Sequence, residues 1–309
     1  MPVMVEEVMQ ALSLRPGSFQ IDATVGGGGH AARILEATAP DGRLLGLDAD
    51  PAAIERAAGR LGRFGDRVTL RQANFERLAQ VAAEVVVAPI DGVLLDLGLS
   101  SDQLADAERG FSFATDGALD MRFDASRGEP AGALLARLSR PELERLLREY
   151  GEEPYAGRIA RAIVDARGRA PIESARQLAE LVARAVPGQP AGRRRIHPAT
   201  RVFQALRVAV NRELEVLPAA LEAAVGVLRP GGRLVVLSYH SLEDRIVKRF
   251  IATERRGCIC PPELPVCVCG RQPRLRPVGP APQRPGAAEV LANPRSRSAR
   301  LRCAERLAA

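Results

Sequence analysis

The sequence predicts an α/β domain built on a parallel sheet, with an all-helical domain inserted into it. Three observations carry this. From Ser18 to Asp96 short apolar strands alternate with helical stretches. Between about Leu104 and Thr200 that rhythm stops and only helical patterns remain. At Arg233–Ser238 a further apolar strand resumes it. Strands spaced by helices, and apolar throughout, belong to a parallel sheet covered on both faces.

In order along the chain, Phe19-Gln20-Ile21-Asp22 runs into a glycine loop, and Arg43–Asp48 follows a Pro-Asp-Gly turn. Arg67–Leu70 and Gly92–Asp96 complete four strands at β-α-β spacing. Helices are predicted over Pro141–Tyr150, Tyr155–Arg167 and Ser174–Val186, from apolar residues at three- and four-residue steps. A longer helical stretch, Arg201–Leu228, carries Pro218, where a kink or break is expected. Pro230-Gly231-Gly232 then turns the chain into the Arg233–Ser238 strand. The tail from Arg256, rich in Pro, Arg and Cys, is expected to lack much regular structure until a closing strand at Arg300–Ala304. The expected domains are 1–104 with 201–309, and an inserted 105–200.

Composition narrows the function classes. The chain has 309 residues, of which 46% are hydrophobic and 26% charged, and no apolar run of membrane-spanning length. Met1–Gln10 contains Glu6 and Glu7 and lacks a secretory pattern, so the cytoplasm is the expected compartment. A net charge of +7 favours a polyanionic partner. Lys248 is the single lysine, so the positive charge is nearly all arginine, whose planar fork grips phosphates in pairs.

The first candidate site is Asp22-Ala23-Thr24-Val25-Gly26-Gly27-Gly28-Gly29-His30, at a strand-to-helix turn. Glycines there let backbone approach a ligand closely. Asp48 closes the second strand, 20 residues beyond Gly28, where it can accept hydrogen bonds from a ribose. Together they mark a nucleoside-bearing cofactor without identifying it. Gly26, Gly28 and Ala31 also satisfy G-x-G-x-x-A, so a nicotinamide-dependent oxidoreductase stays open on this motif.

Five blocks in one order make the match specific. They are Gly26–His30; Leu94–Leu104 (Leu-Leu-Asp-Leu-Gly-Leu-Ser-Ser-Asp-Gln-Leu); Glu108–Phe113 through Asp120-Met121-Arg122; His197–Asn211; and Ser238–Lys248. In these the chain resembles the bacterial 16S ribosomal RNA cytosine-N4 methyltransferase family, called RsmH or MraW. The resemblance implies a Rossmann-like class I S-adenosylmethionine-dependent methyltransferase domain. It also implies methyl transfer to the exocyclic N4 of a cytidine in the decoding region of 16S ribosomal RNA. The implied partner is that RNA, within the small ribosomal subunit, with no membrane and no DNA. The family's cofactor contacts fall on Gly28, Gly29, His30, Asp48, Phe75, Asp96 and Gln103. The glycines and His30 would face the methionine part, Asp48 the ribose, and Phe75 the adenine. A non-catalytic ribosome-binding assembly factor is the alternative in another class. Departures are small: the chain starts Met1-Pro2-Val3 where the family has a His before Pro-Val, and Ala118 and Phe123 replace the usual Pro and Met.

Cytosine N4 is a poor nucleophile, because its lone pair is delocalised into the ring. An acceptor for one of its hydrogens would help it, and the loop after the fourth strand is the place for one. DNA cytosine-N4 methyltransferases carry Ser/Asp-Pro-Pro-Tyr there. This chain reads Asp96-Leu97-Gly98-Leu99, leaving Asp96 or a backbone carbonyl as the acceptor. His240, after the last core strand, is the second catalytic candidate, with a structural hydrogen-bonded role as the alternative.

The tail from Arg271 holds nine Arg against Glu289 and Glu305, and with Arg193-Arg194-Arg195 it is the candidate RNA surface. Cys258-Ile259-Cys260 and Cys267-Val268-Cys269 form two C-x-C pairs. Four thiolates can bind zinc, but the usual knuckle is C-x-x-C or wider. Ordinary reduced cysteines are expected, and no metal is assigned.

Overall fold

Three neighbouring strands end in aspartate at the same edge of one sheet: Asp22, Asp48 and Asp96. The computed structural model that shows this describes residues 2–86, 88–114, 116–187, 197–256, 258–261, 263–266 and 268–308. Arg193, Arg194, Arg195 and Cys267 lie outside the described residues. The chain divides into two units, Met1–Gly98 with Leu214–Ala309, and Leu99–Glu213.

The first unit begins α1 (Val5–Leu12), β1 (Phe19–Asp22), α2 (Gly29–Ala37), β2 (Arg43–Asp48), α3 (Pro51–Leu61), β3 (Val68–Gln72), α4 (Leu78–Val85) and β4 (Ile90–Asp96). The second holds α5 (Ser101–Ala105), α6 (Ala131–Arg137), α7 (Arg140–Gly151), α8 (Ala156–Arg167), α9 (Ala175–Ala185) and α10 (Ala199–Asn211). The chain then returns through α11 (Glu213–Val227), β5 (Leu228–Ser238), α12 (Ser241–Arg256), β6 (Leu275–Gln283), α13 (Ala287–Ala292) and β7 (Arg300–Arg306). This is the α/β, Rossmann-like class with a helical insertion that the sequence predicts.

The seven strands are ordered β3-β2-β1-β4-β5-β7-β6. Strands β1 to β5 are mutually parallel, and β7 runs antiparallel to both its neighbours. From β1 the chain first builds outward through β2 and β3, then returns to place β4 on the other side of β1. The loops after β1 and β4 therefore flank the topological switch point, where open α/β sheets bind ligands.

Side chains alternate across each strand, and the helices divide accordingly. Ile21, Leu45, Leu47, Val93, Leu95, Leu234 and Val236 face α4, α11 and α12. Leu44, Leu94, Val235, Leu237, Leu301 and Cys303 face α1, α2 and α3. Each fully buried Leu or Val contributes about 1.5–3 kcal/mol, so both faces anchor the strand ends rigidly. The helical unit has its own core, with Leu143, Leu147, Ile159, Ile163, Leu178, Val182, Val202 and Leu206 at its centre.

Two expectations are corrected. The long helical stretch breaks at Arg212, in the left-handed region at φ 54°, and not at Pro218, which lies inside α11. Pro218 is the sixth residue of that helix, so its missing N–H removes only one early bond of the ladder. The tail also holds more structure than expected, with β6 and α13 as well as β7. β6 carries Pro277, Pro280 and Pro282, which argue against a strand by pattern. It lies at the sheet edge, where proline is tolerated. The two units divide in sequence at Gly98/Leu99 and at Glu213/Leu214.

Candidate active site

The loop after β1 is shaped by backbone constraints. Val25 N–H donates to Leu47 O at 2.8 Å and Gly28 N–H to Val25 O at 2.8 Å. Gly28 caps α2 at φ 75°, a conformation that L side chains rarely adopt. A Cβ on Gly29 would lie 2.5 Å from the Pro2 ring, so the α2 start can pack here only as glycine.

Asp48 holds this loop from β2. Its Oδ2 accepts from Gly26 N–H at 2.9 Å and its Oδ1 from Asp50 N–H at 2.9 Å. Each carboxylate oxygen keeps a further lone pair for a ligand hydroxyl. Burial pushes the Asp48 carboxyl up to about 6, against the pull of the Asp50 and Gly26 amides. Asp22, at the end of β1, is buried to 1% exposure and accepts from Thr24 N–H at 3.2 Å. Burial raises it to about 7, and the nearby Asp96 and Asp48 charges act in the same direction. Three carboxyls converge beneath the glycine loop.

Asp96 is the centre of the cluster. Its backbone N–H donates to Thr24 Oγ1 at 2.6 Å, which ties the end of β4 to the loop after β1. Its Oδ1 accepts from the Tyr239 hydroxyl at 2.7 Å, and its Oδ2 lies 3.4 Å from His30 Nδ1. On its other side His30 Nε2 lies 2.9 Å from Val3 O. Both ring nitrogens face acceptors. Burial works against the charged imidazole, yet Asp96, then Asp22 and the Val3 carbonyl, outweigh it and hold the His30 pKa above the ordinary value. Burial, reinforced by Asp96, pushes the Tyr239 phenol well above its ordinary range, so it stays a donor.

The structure thus brings Gly28, Gly29, His30, Asp48 and Asp96 together around one loop. Phe75 follows β3, just after the Asn74 cap, and lies half-buried against the core on the α4 face. Gln103 belongs to the helical unit, where it is buried and its Oε1 accepts from Ser100 N–H at 2.9 Å in a capping box that starts α5. The His240 ring lies with Nε2 3.0 Å from Glu243 Oε1, at the head of α12 and mostly buried. Tyr239, Thr24 and Asp22 lie within the sequence motifs, but the sequence assigns none of them a role. Tyr239 had a usable signal: Asp96 pairs with Leu237, so residue 239 emerges beside Asp96 at the same sheet edge.

The tail arginines are largely committed within the chain. Arg271 and Arg274 pair with Glu254, Arg276 with Glu305, Arg300 and Arg302 with Asp244, and Arg306 with the Val225 carbonyl. Among the described residues of the tail, Arg276, Arg284, Arg295 and Arg297 are the exposed arginines of the expected RNA surface.

Comparison with known proteins bears on this cluster. The model of the MraW methylase family matches residues 1–307. "Ribosomal RNA small subunit methyltransferase H" of Thermomicrobium roseum is 56% identical over 307 residues, covering 99% of this chain and 93% of the relative. The protein of the same description from Symbiobacterium thermophilum is 53% identical over 308 residues, covering 100% and 96%. Among solved structures, an rRNA methylase from Streptococcus thermophilus aligns at TM-score 0.45 and 12% identity, covering 100% of this chain and 98% of that one. The whole-chain family match and the two close relatives agree: the chain belongs to the MraW methylase family, and with it to the S-adenosylmethionine-dependent methyltransferases.

Proposed function

We propose that this chain methylates the N4 of a cytidine in the decoding region of 16S ribosomal RNA, acting in the cytoplasm on the small ribosomal subunit. The observation that carries the reading is Asp96, held between Tyr239 and His30 at the carboxyl end of β4, beside the switch point. The residues fit the cofactor: a glycine loop with positive φ at Gly26 and Gly28 lets a ligand approach backbone, and Asp48 keeps acceptor capacity for a ribose. When bound, S-adenosylmethionine supplies a methyl group already activated on a sulfonium.

The protein's own contribution is alignment and charge. Gly28, Gly29 and His30 would hold the methionine part, Asp48 the ribose and Phe75 the adenine. Asp96 accepts a hydrogen from N4, which frees the nitrogen lone pair for attack, and Tyr239 fixes the orientation of that carboxylate. His240 is engaged by Glu243 at the head of α12 and orients the loop that carries Tyr239. The helical unit and the exposed tail arginines offer the RNA-facing surface, with salt-sensitive phosphate contacts. Family membership sets aside the nicotinamide-dependent reading.

The experiment is incubation of small-subunit particles and of free RNA with labelled S-adenosylmethionine, followed by nucleoside mass spectrometry. N4-methylcytidine in 16S RNA, more abundant with particles than with transcript, is expected. Label found only on cytosine carbon five, on DNA or on protein would overturn the reading, and subunit binding without label would point to the assembly factor.

A further inference from the structure

The segment joining α12 to β6 has no obvious reason to hold a shape. Ile259, Val266 and Val268 are 56%, 70% and 77% exposed, and Leu264 is exposed too. Apolar side chains that point outward contribute no burial, so hydrophobic packing does not order this loop. Its ends are anchored: Arg274 N–H donates to Glu254 O at 2.9 Å, and Arg271 pairs with the Glu254 carboxylate at 2.8 Å. Between those anchors the chain folds back so that the Sγ atoms of Cys258, Cys260 and Cys269 all lie within 4.8 Å of one another.

The geometry is that of a metal site. With Zn–S bonds of about 2.3 Å, the sulfur–sulfur edge of a tetrahedron is about 3.8 Å. Cys258 Sγ and Cys269 Sγ are 3.9 Å apart. That is a tetrahedral edge, and nearly twice the bond length of a disulfide, about 2.05 Å. A second observation is independent of the sulfur spacing. Val268 N–H points at Cys260 Sγ across 3.4 Å, a backbone donor placed where a thiolate needs one. The turn that permits this closes with Leu264 N–H donating to Pro261 O at 3.1 Å, and Gly270 follows at φ 63°.

We propose that Cys258, Cys260 and Cys269 bind one Zn²⁺ as thiolates and that this ion holds the loop folded. Binding releases three thiol protons to solvent and forms three Zn–S bonds, with no change of oxidation state. Thiolate donors select a soft or borderline ion over Mg²⁺ or Ca²⁺. In a loop without a core of its own, metal binding and local folding are one event. Three thiolates leave one position of the tetrahedron, which a water fills, and none of the three cysteines belongs to the cluster around Asp96.

The test uses the full chain, purified without chelator and free of any affinity tag. Elemental analysis is expected to find close to one zinc per chain, falling to below a tenth in Cys258→Ser and Cys269→Ser. A Cys303→Ala control, altered in the sheet core, is expected to keep its metal. Co²⁺ added to chelator-treated wild type is expected to give thiolate charge-transfer absorption and the visible bands of a tetrahedral ion, a readout that needs no variant. Wild type that gives no such absorption, single variants that keep full zinc, or a Cys258–Cys269 disulfide in the mass spectrum of native protein would each overturn the proposal.

Discussion

The Tyr239 hydroxyl donates to Asp96 Oδ1 across 2.7 Å, joining the loop after β5 to the end of β4. The two residues are far apart in sequence and adjacent in space because β4 and β5 pair in parallel, with Asp96 opposite Leu237. Asp96 is thereby fixed from two directions, by a phenol and by a buried imidazole. A carboxylate held in this way suits a hydrogen acceptor that must not rotate.

Tyr239→Phe tests that positioning. A hydrogen bond to a charged group contributes about 1.5–3 kcal/mol, so single-turnover methylation at saturating cofactor is expected to fall roughly ten- to hundredfold. The affinity for S-adenosylhomocysteine should change less than threefold. A single-turnover rate within twofold of wild type, or an equal loss of S-adenosylhomocysteine affinity, would assign Tyr239 to packing alone.

Asp96→Asn separates cofactor holding from chemistry. An interaction that matters in the transition state lowers the rate even when both substrates saturate. Single-turnover methylation at saturating cofactor and RNA is therefore expected to stay depressed. A rate within twofold of wild type would remove Asp96 from the chemical step.

Asp48→Ala addresses the ribose. Removing a desolvated acceptor is expected to weaken cofactor binding by roughly 1–3 kcal/mol, read by calorimetry as a 5- to 150-fold higher Kd. The circular dichroism spectrum is the control that the fold is retained. An unaltered Kd would refute the assignment.

Asp22 predicts a pH dependence of stability. Its pKa rises on folding from about 3.8 to about 7, so the folded state holds a proton that the unfolded chain has released. Its favourable contribution is complete below about pH 4 and is lost as pH rises through 7. Asp22→Asn keeps the neutral form at every pH. Relative to wild type it should therefore gain stability between pH 4 and pH 8, by at most ~4 kcal/mol for a three-unit shift. Denaturant midpoints at pH 4, 6 and 8 check this, and parallel profiles for the two proteins would contradict it.

The strands of the first half were legible because their apolar runs are short and bounded by turns. β1 and β2 match the predicted residues to the end, and Asp48 and Asp96 follow from those ends. Helices α7, α8 and α9 were legible from their period. β6 was hidden because pattern reading treats proline as a breaker, while an edge position removes the objection. The break at Arg212 was hidden for the opposite reason: an arginine gives no warning that it will take a left-handed conformation to end a helix. The role of Tyr239 is not legible in the sequence because it depends on a pairing register, and register is a property of two distant segments. The three gathered cysteines show the same limit, since a C-x-C spacing does not say how a loop will fold back.

Proline at the rim of the sheet has a consequence for solubility. Three of the nine residues of β6 offer no amide hydrogen, so a second chain laying a strand against this border finds a broken ladder. Gly279 at φ 69° bends the same segment away from a flat template. The opposite border, β3, ends in exposed Arg71 and Gln72, whose charge and polarity discourage docking by other means. A seven-stranded sheet exposes two open flanks, and here each is defended chemically against stacking into aggregates.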